Sequence, residues 1–248
     1  MLFEGSESSR KHHRLSNPVR RFLNSCSRAV RTAFPAHCVL CARRGVSDGL
    51  CGDCAASLPR VPDARCSVCA QPLTSGGVCA ACLDTPPAYD GIRALYAYAF
   101  PLDALIHAYK YGRELSLAPV FATHLMAVAH ASVDAIVPMP LSPERLRERG
   151  FNQAHELARR IGRELSCPVL PHACRKIVNT PPQATLPWAE RARNIRRAFV
   201  CDEHFEGKRI AIVDDVMTSG ATLNELARNI KRAGAGYVEG WVLARTLK

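Results

Sequence analysis

The sequence predicts an α/β fold, a mostly parallel sheet flanked by helices, with a small cysteine-rich module ahead of it. Three observations carry that reading. Apolar strand-like runs alternate with amphipathic helical segments from about residue 92 onward. Eight of the twelve cysteines fall in a strict repeat before residue 84. The Pro-rich joint Thr85-Pro86-Pro87 separates the two regions. The 248-residue chain is 48% hydrophobic and 22% charged, which argues against wholesale disorder. No run approaches the ~18–20 apolar residues of a membrane span.

Residues 1–16 read as a flexible basic tail with no apolar core followed by a cleavage site, so the chain is expected to be cytoplasmic. Residues 17–35 read as an amphipathic helix. Asn17-Pro18 supplies an N-cap and first position, and Val19, Phe22, Leu23, Cys26, Val30 and Ala33 share a face. Its arginines leave two roles open, packing on the protein or a peripheral position at the inner face of the membrane.

Residues 36–84 hold Cys38-x-x-Cys41, Cys51-x-x-Cys54, Cys66-x-x-Cys69 and Cys79-x-x-Cys82. Matched cysteines lie 28 residues apart, so the segment is an internal repeat. In a reducing compartment such pairs point to metal rather than disulfides. Four thiolates on two turns suit a closed, structural Zn²⁺ shell, and the metal would supply folding energy that so short a segment lacks. Sequential pairing gives Cys38, Cys41, Cys51 and Cys54 on one ion and Cys66, Cys69, Cys79 and Cys82 on another; a cross-braced pairing is the alternative. An Fe–S cluster or redox pair is disfavoured because no βαβ pattern surrounds these cysteines. Cys26, Cys167, Cys174 and Cys201 lack the spacing and read as small apolar or partly exposed residues.

Residues 88–248 form the α/β domain. Ile92 to Ala99 reads as a strand; Leu102, Leu105, Ile106 and Tyr109, then Leu117 to Ala131, read as helices. Val133 to Val137 is a short buried strand ending at Pro138. Phe151, Ala154, Leu157, Ala158 and Ile161 mark a long helix. Arg209 to Val213 is a buried strand, Leu223 to Ala233 a helix, and Tyr237 to Ala244 a final strand. Ligands of such sheets bind beyond the carboxyl ends of strands.

Beyond Val213 come Asp214, Asp215, Val216, Met217, Thr218, Ser219, Gly220, Ala221 and Thr222. Adjacent carboxylates repel unless a cation or sugar hydroxyls occupy them. The small, hydroxylated stretch 218–222 opens a helix, whose amino end favours a phosphate. A ribose 5-phosphate satisfies both halves of this pattern. Neither a P-loop nor a Rossmann fingerprint is present.

This run resembles the 5-phosphoribosyl 1-pyrophosphate (PRPP) motif of type I phosphoribosyltransferases. The wider chain, roughly residues 36 to 246, resembles the ComF family (ComFC and GntX-like proteins), which carries an N-terminal double zinc ribbon. The resemblance rests on the paired CxxC units, Leu105 to Gly112, Pro138-Met139-Pro140-Leu141, Arg145 to Gln153, Thr180-Pro181-Pro182-Gln183, Arg191, Asn194 and the Asp214 to Thr222 loop. Ser219 stands where a second Thr is commoner.

The resemblance implies that Asp214 and Asp215, the candidate catalytic residues, contact the ribose hydroxyls, and that residues 218 to 222 hold the 5-phosphate. Pyrophosphate would lie against Pro138, Met139 and Pro140. Lys110, Arg145, Arg147 and Arg149 are the candidate cations for it, because guanidinium forks match phosphate oxygens. Arg145 to Arg149 also reads as a solvated helix face. The segment Arg175 to Asn194 reads as a mobile loop able to cover the site. In a catalytic protein Mg²⁺ would bridge pyrophosphate and ribose oxygens while a nitrogenous acceptor attacks C1.

Two functions are consistent with these residues. One is a phosphoribosyltransferase acting on PRPP and an unidentified acceptor, associated with DNA uptake. The other is a non-catalytic factor of the DNA-uptake machinery that binds a nucleotide or single-stranded DNA and meets other uptake proteins. The formal charge of +11 suits nucleic acid. Before the cysteines seven cations meet two acids, and from 140 to 200 twelve meet five. Aromatics, at 6%, are few for stacking bases.

Overall fold

The computed structural model describes residues 37–46, 49–112, 114–177 and 198–248. The expected tail, the 17–35 helix, Thr180 to Gln183, Arg191 and Asn194 lie outside the described residues. Within them the elements run α1 (Gly52–Ala56), α2 (Ala80–Asp84), β1 (Gly91–Ala97), α3 (Leu102–Tyr111), α4 (Leu117–Leu125) and β2 (Ala135–Pro138). They continue through α5 (Pro143–Arg149), α6 (Gln153–Glu164), β3 (Cys174–Lys176), β4 (Phe199–Cys201), β5 (Arg209–Met217), α7 (Ala221–Arg232) and β6 (Tyr237–Arg245).

Four strands form one parallel sheet in the order β1-β6-β5-β2. Successive side chains of a strand face opposite sides, and here both sides are covered. Ile210 and Ile212 of β5 and Val238 and Val242 of β6 pack with Leu223, Leu226 and Ile230 of α7. Ala211, Val213, Trp241 and Leu243 pack on the other side with α3, α4 and α6, including Leu157 and Ile161. That two-sided burial explains the near-continuous apolar runs in the sequence.

The amino ends of α5 and α6 are set locally. Ser142 Oγ accepts from the Arg145 amide (3.4 Å) with Pro143 following, and Asn152 Oδ1 accepts from the His155 amide (3.3 Å). Gly150, left-handed at φ 79°, ends α5 and turns the chain into α6.

Two features depart from expectation. β5 does not stop at Val213: it continues through Met217, because β6 goes on pairing with it as far as Met217 opposite Arg245. In addition, β3 and β4 form a separate antiparallel pair, and Cys174 and Cys201 face each other across it as a disulfide, Cα atoms 4.0 Å apart. The amide bonds of the pair fall at Ala173–Asp202 and Ile177–Ala198, so the cysteines occupy a non-hydrogen-bonded position where side chains approach most closely. The reading of these two as small apolar or partly exposed residues is thereby corrected to a disulfide pair. Cys167 is a half-buried thiol directed at the Val133 carbonyl (3.6 Å).

Close approach of α7 to the sheet depends on Gly240, where a Cβ would sit 2.7 Å from both Ile92 Cδ1 and Leu223 Cδ1. Gly240→Ala is expected to destabilise the protein by about 1–3 kcal/mol, seen as a lower urea midpoint at unchanged slope.

Candidate phosphoribosyl and metal sites

The 28-residue repeat is also a structural one. In the first unit the Ala42 amide bonds the Cys38 carbonyl (2.8 Å) and the Cys38 amide the Arg43 carbonyl (2.8 Å). In the second, Ala70 bonds Cys66 (2.9 Å) and Cys66 bonds Gln71 (2.8 Å). Ala42 and Ala70 share φ 58°. The second pair of each unit opens a short helix, α1 after Cys51 and α2 after Cys79.

These turns gather Cys38, Cys41, Cys51 and Cys54 into one cluster and Cys66, Cys69, Cys79 and Cys82 into another, with the sulfurs of each within 4.8 Å of one another. The pairing is therefore sequential rather than cross-braced. A tetrahedral ion with ~2.3 Å bonds to sulfur needs edges of about 3.8 Å. Cys41–Cys51 and Cys69–Cys79 stand at 3.7 Å, so the cages fit two zinc ions. Backbone amides favour thiolates here. Burial pushes the Cys38 thiol up, but amides of Cys51, Cys41 and Leu40 more than offset it and bring it to about 6. Cys66 is brought to about 6 in the same way by the amides of Cys79, Cys69 and Val68.

The second site lies at the carboxyl end of β5. β2 ends at Pro138, opposite Val213, and the Met139 amide makes a last bond to the Val213 carbonyl (2.9 Å). Asp214 to Met217 thus extend beyond β2 with a strand neighbour only in β6. A crevice opens there.

Alternation along β5 sends the two acids to opposite sides. Asp215, buried at 4% exposure, meets Lys110 Nζ of α3 at 2.9 Å. Burial works against the Lys110 charge, yet Asp215 and Asp214 outweigh it and hold its pKa above the ordinary value. Asp214 lines a small hollow with Val216, Met217, Thr218, Ser219, Gly220, Thr222 and Leu223. Its volume is about 80 Å³, more than two waters displace at ~30 Å³ each. Burial first and the Asp215 charge second raise the Asp214 carboxyl to about 7.

The floor of this hollow is the amino end of α7, whose first-turn amides have no acceptor within the helix. Gly220 caps it at φ 81°, and a Cβ there would lie 2.4 Å from Met217 Cε. Ser219 Oγ accepts from the Ala221 amide (3.2 Å). The hollow therefore joins a carboxylate to a helix amino end.

The expected cations are divided among different surroundings. Arg147 lies on the solvent side with Glu144 at 3.6 Å. Arg149 donates to Gln153 Oε1 (3.0 Å) and stacks on Tyr111, 5.1 Å from the ring centroid. Arg145 lies close enough to Lys176 to depress the latter's pKa, after burial, while Asp214 opposes the shift. Lys176 was not foreseen; it comes from β3, whose three residues carry no strand signature. Nor was Asn152 assigned a role: its Nδ2 donates to the Met139 carbonyl (3.0 Å), tying the α5–α6 junction to the Pro138–Pro140 turn. Arg149 Nε and Gln153 Nε2 are buried donors without an acceptor among the described residues. Beside Pro140 a cavity of about 700 Å³, largely apolar, is lined by Leu141, Leu146, Phe151, His155 and Ile177 among others.

Residues 29–83 match the double zinc ribbon domain. Over 227 residues, 86% of this chain and 98% of its own, competence protein F of Haemophilus influenzae is 31% identical. DNA utilization protein YhgH of Escherichia coli K12 is 35% identical over 66% of this chain and 76% of its own. Competence protein ComFC of Bacillus subtilis is 26% identical over 94% and 87%. A purine phosphoribosyltransferase from Pyrococcus horikoshii superposes on 56% of this chain and 83% of its own with a TM-score of 0.28 at 18% identity, an overlap too slight to carry an argument. Among the described residues no helix is long and apolar enough to cross a membrane.

Two outcomes follow for these sites. Metal analysis is expected to return two zinc ions per chain, and Cys54→Ser and Cys82→Ser to lose one each. Asp214 carries the second. Its pKa of about 7 in the fold stands above the ordinary carboxylate value of 3.8, so the ligand-free fold carries the resulting stability below about 3.8 and loses it as pH rises through about 7. Asp214→Asn should therefore melt above the native protein at pH 8, with the two curves converging near pH 4.

Proposed function

Because the chain belongs to the ComF family of competence and DNA-utilisation proteins, we propose that it binds PRPP or a related phosphoribosyl ligand with Mg²⁺ and transfers the phosphoribosyl group to a nitrogenous acceptor. The observation that carries this reading is the crevice past Pro138, where a strand-borne carboxylate and a helix amino end face one small hollow. Asp214 accepts from ribose hydroxyls, and the amides of 218–222 hold the 5-phosphate. Asp215 keeps Lys110 at the crevice as a fixed cation.

Pyrophosphate would take the β2 side, where Met139 and Pro140 form the turn and Arg145, Arg149 and Gln153 supply donors. Mg²⁺ would add charge neutralisation on the pyrophosphate and ribose oxygens. The chain's own part is to position both ends of the ligand and to stabilise the charge that develops as pyrophosphate leaves C1. The cavity beside Pro140 is the place for the acceptor.

A second reading, binding without turnover, is favoured by the excess of cations and by the DNA-related names of the relatives. Calorimetric titration with PRPP and Mg²⁺ tests the first. The Asp214→Asn/Asp215→Asn protein is expected to show at least about a hundredfold weaker binding, and unchanged affinity would overturn the assignment. Pyrophosphate release in a screen of nucleobases favours transfer. PRPP binding with no release, together with single-stranded DNA affinity that falls as salt rises, favours the second reading.

A further inference from the structure

We propose that Arg245 is a positioning residue that couples the second cysteine cluster to the phosphate loop, so that metal at Cys66, Cys69, Cys79 and Cys82 sets the geometry of residues 217–219. The inference rests on the phosphoribosyl reading for its consequence, but not for its geometry.

Arg245 is the last residue of β6 and only 3% exposed. Its Nε donates to the carbonyl of Cys69 (3.0 Å), a metal-cluster residue. Its Nη1 donates to the carbonyls of Met217 (3.1 Å), Thr246 (2.9 Å) and Thr218. One guanidinium thus joins the cluster to the two residues that open the phosphate loop. Its partners are carbonyl oxygens and the Cys69 side chain, and among the described residues no carboxylate pairs with it. A compensating charge would lie close by in a different form, since four thiolates holding one Zn²⁺ would leave a net negative charge.

The peptide geometry gives the coupling a direction. In a trans peptide the carbonyl and the following N–H point opposite ways. Holding the Thr218 carbonyl on Arg245 therefore aims the amide of Ser219, one of the residues lining the hollow, away from the guanidinium. Neighbouring contacts brace the same junction. Gln71 Nε2, next to the cluster turn, donates to the Thr246 carbonyl (3.0 Å), and the Thr246 amide donates to Met217 (3.0 Å). The Ala88 amide bonds Asn224 Oδ1 of α7 (2.6 Å). The first cluster has a different footing. Leu50 and Leu58 beside it join the core of α3 and α4, and a Cβ on Gly49 would lie 2.3 Å from Val120 Cγ2 of α4.

The test is amide hydrogen exchange in the full chain, followed at peptides covering 217–223, with zinc content measured on each sample. Cys82→Ser and Arg245→Lys are expected to speed exchange there about tenfold, and Cys54→Ser to leave it within about twofold of the native protein. Arg245→Lys should keep both zinc ions, so its effect reads the guanidinium alone. Unchanged exchange at 217–223 in Arg245→Lys, or equal acceleration in Cys54→Ser, would overturn the coupling. General acceleration in Cys82→Ser is decided by Arg245→Lys. PRPP titration of the same proteins separates the two claims. Native protein that ignores PRPP while the exchange contrast persists refutes the ligand, not the coupling.

Discussion

The site depends on keeping two neighbouring carboxylates at the end of a buried strand. Removing a charge from water is costly unless another charge or a set of hydrogen bonds replaces the solvent. The strand resolves the conflict by alternation. Asp215 turns to one side and is neutralised by Lys110 from α3. Asp214 turns to the other, where no residue of the described chain neutralises it fully and its proton is held up to about pH 7. In the proposed reading the ligand supplies its partner from outside. The surrounding features, including the open β2 side and the glycine that lets α7 begin beneath it, make that supply geometrically simple.

Much of the fold was legible because its signals are local. The cysteine sets are written in CxxC spacing, and the 28-residue offset reappears in matched turns at Ala42 and Ala70. The sheet is written in apolar runs at 210–213 and 237–244. What escaped was set by distant partners. Asp214 and Asp215 look like the end of a strand, since charge and burial conflict, but β6 pairs on to Met217. β3 and β4 are three residues each and recognise each other across a long insertion, so neither they nor the Cys174–Cys201 bridge had a sequence signature. A loop between the β5 strand and the α7 helix was readable from Asp214 to Thr222, and the structure places a hollow there; the distribution of Arg145, Arg147, Arg149 and Lys110 was not, because a cation's neighbour depends on tertiary packing.

The duplicated metal units show how one local geometry takes on two uses. Their turns superimpose in hydrogen bonding, but one copy settles on α4 and the other on the end of β6. The difference lies outside the repeated residues, in what the rest of the chain presents. A signal with two equal halves in sequence therefore becomes unequal in the folded molecule.

The length mismatch between β5 and β2 has a consequence for solubility. Past Val213 the strand has, among the described residues, a neighbour on one side only, so a stretch of buried-type backbone becomes a sheet margin, the kind of surface that invites a strand from another molecule. Asp215, an inward-pointing charge held by Lys110, blunts that margin against an incoming strand. A residue of the candidate site thus also protects the margin that the shorter strand leaves open.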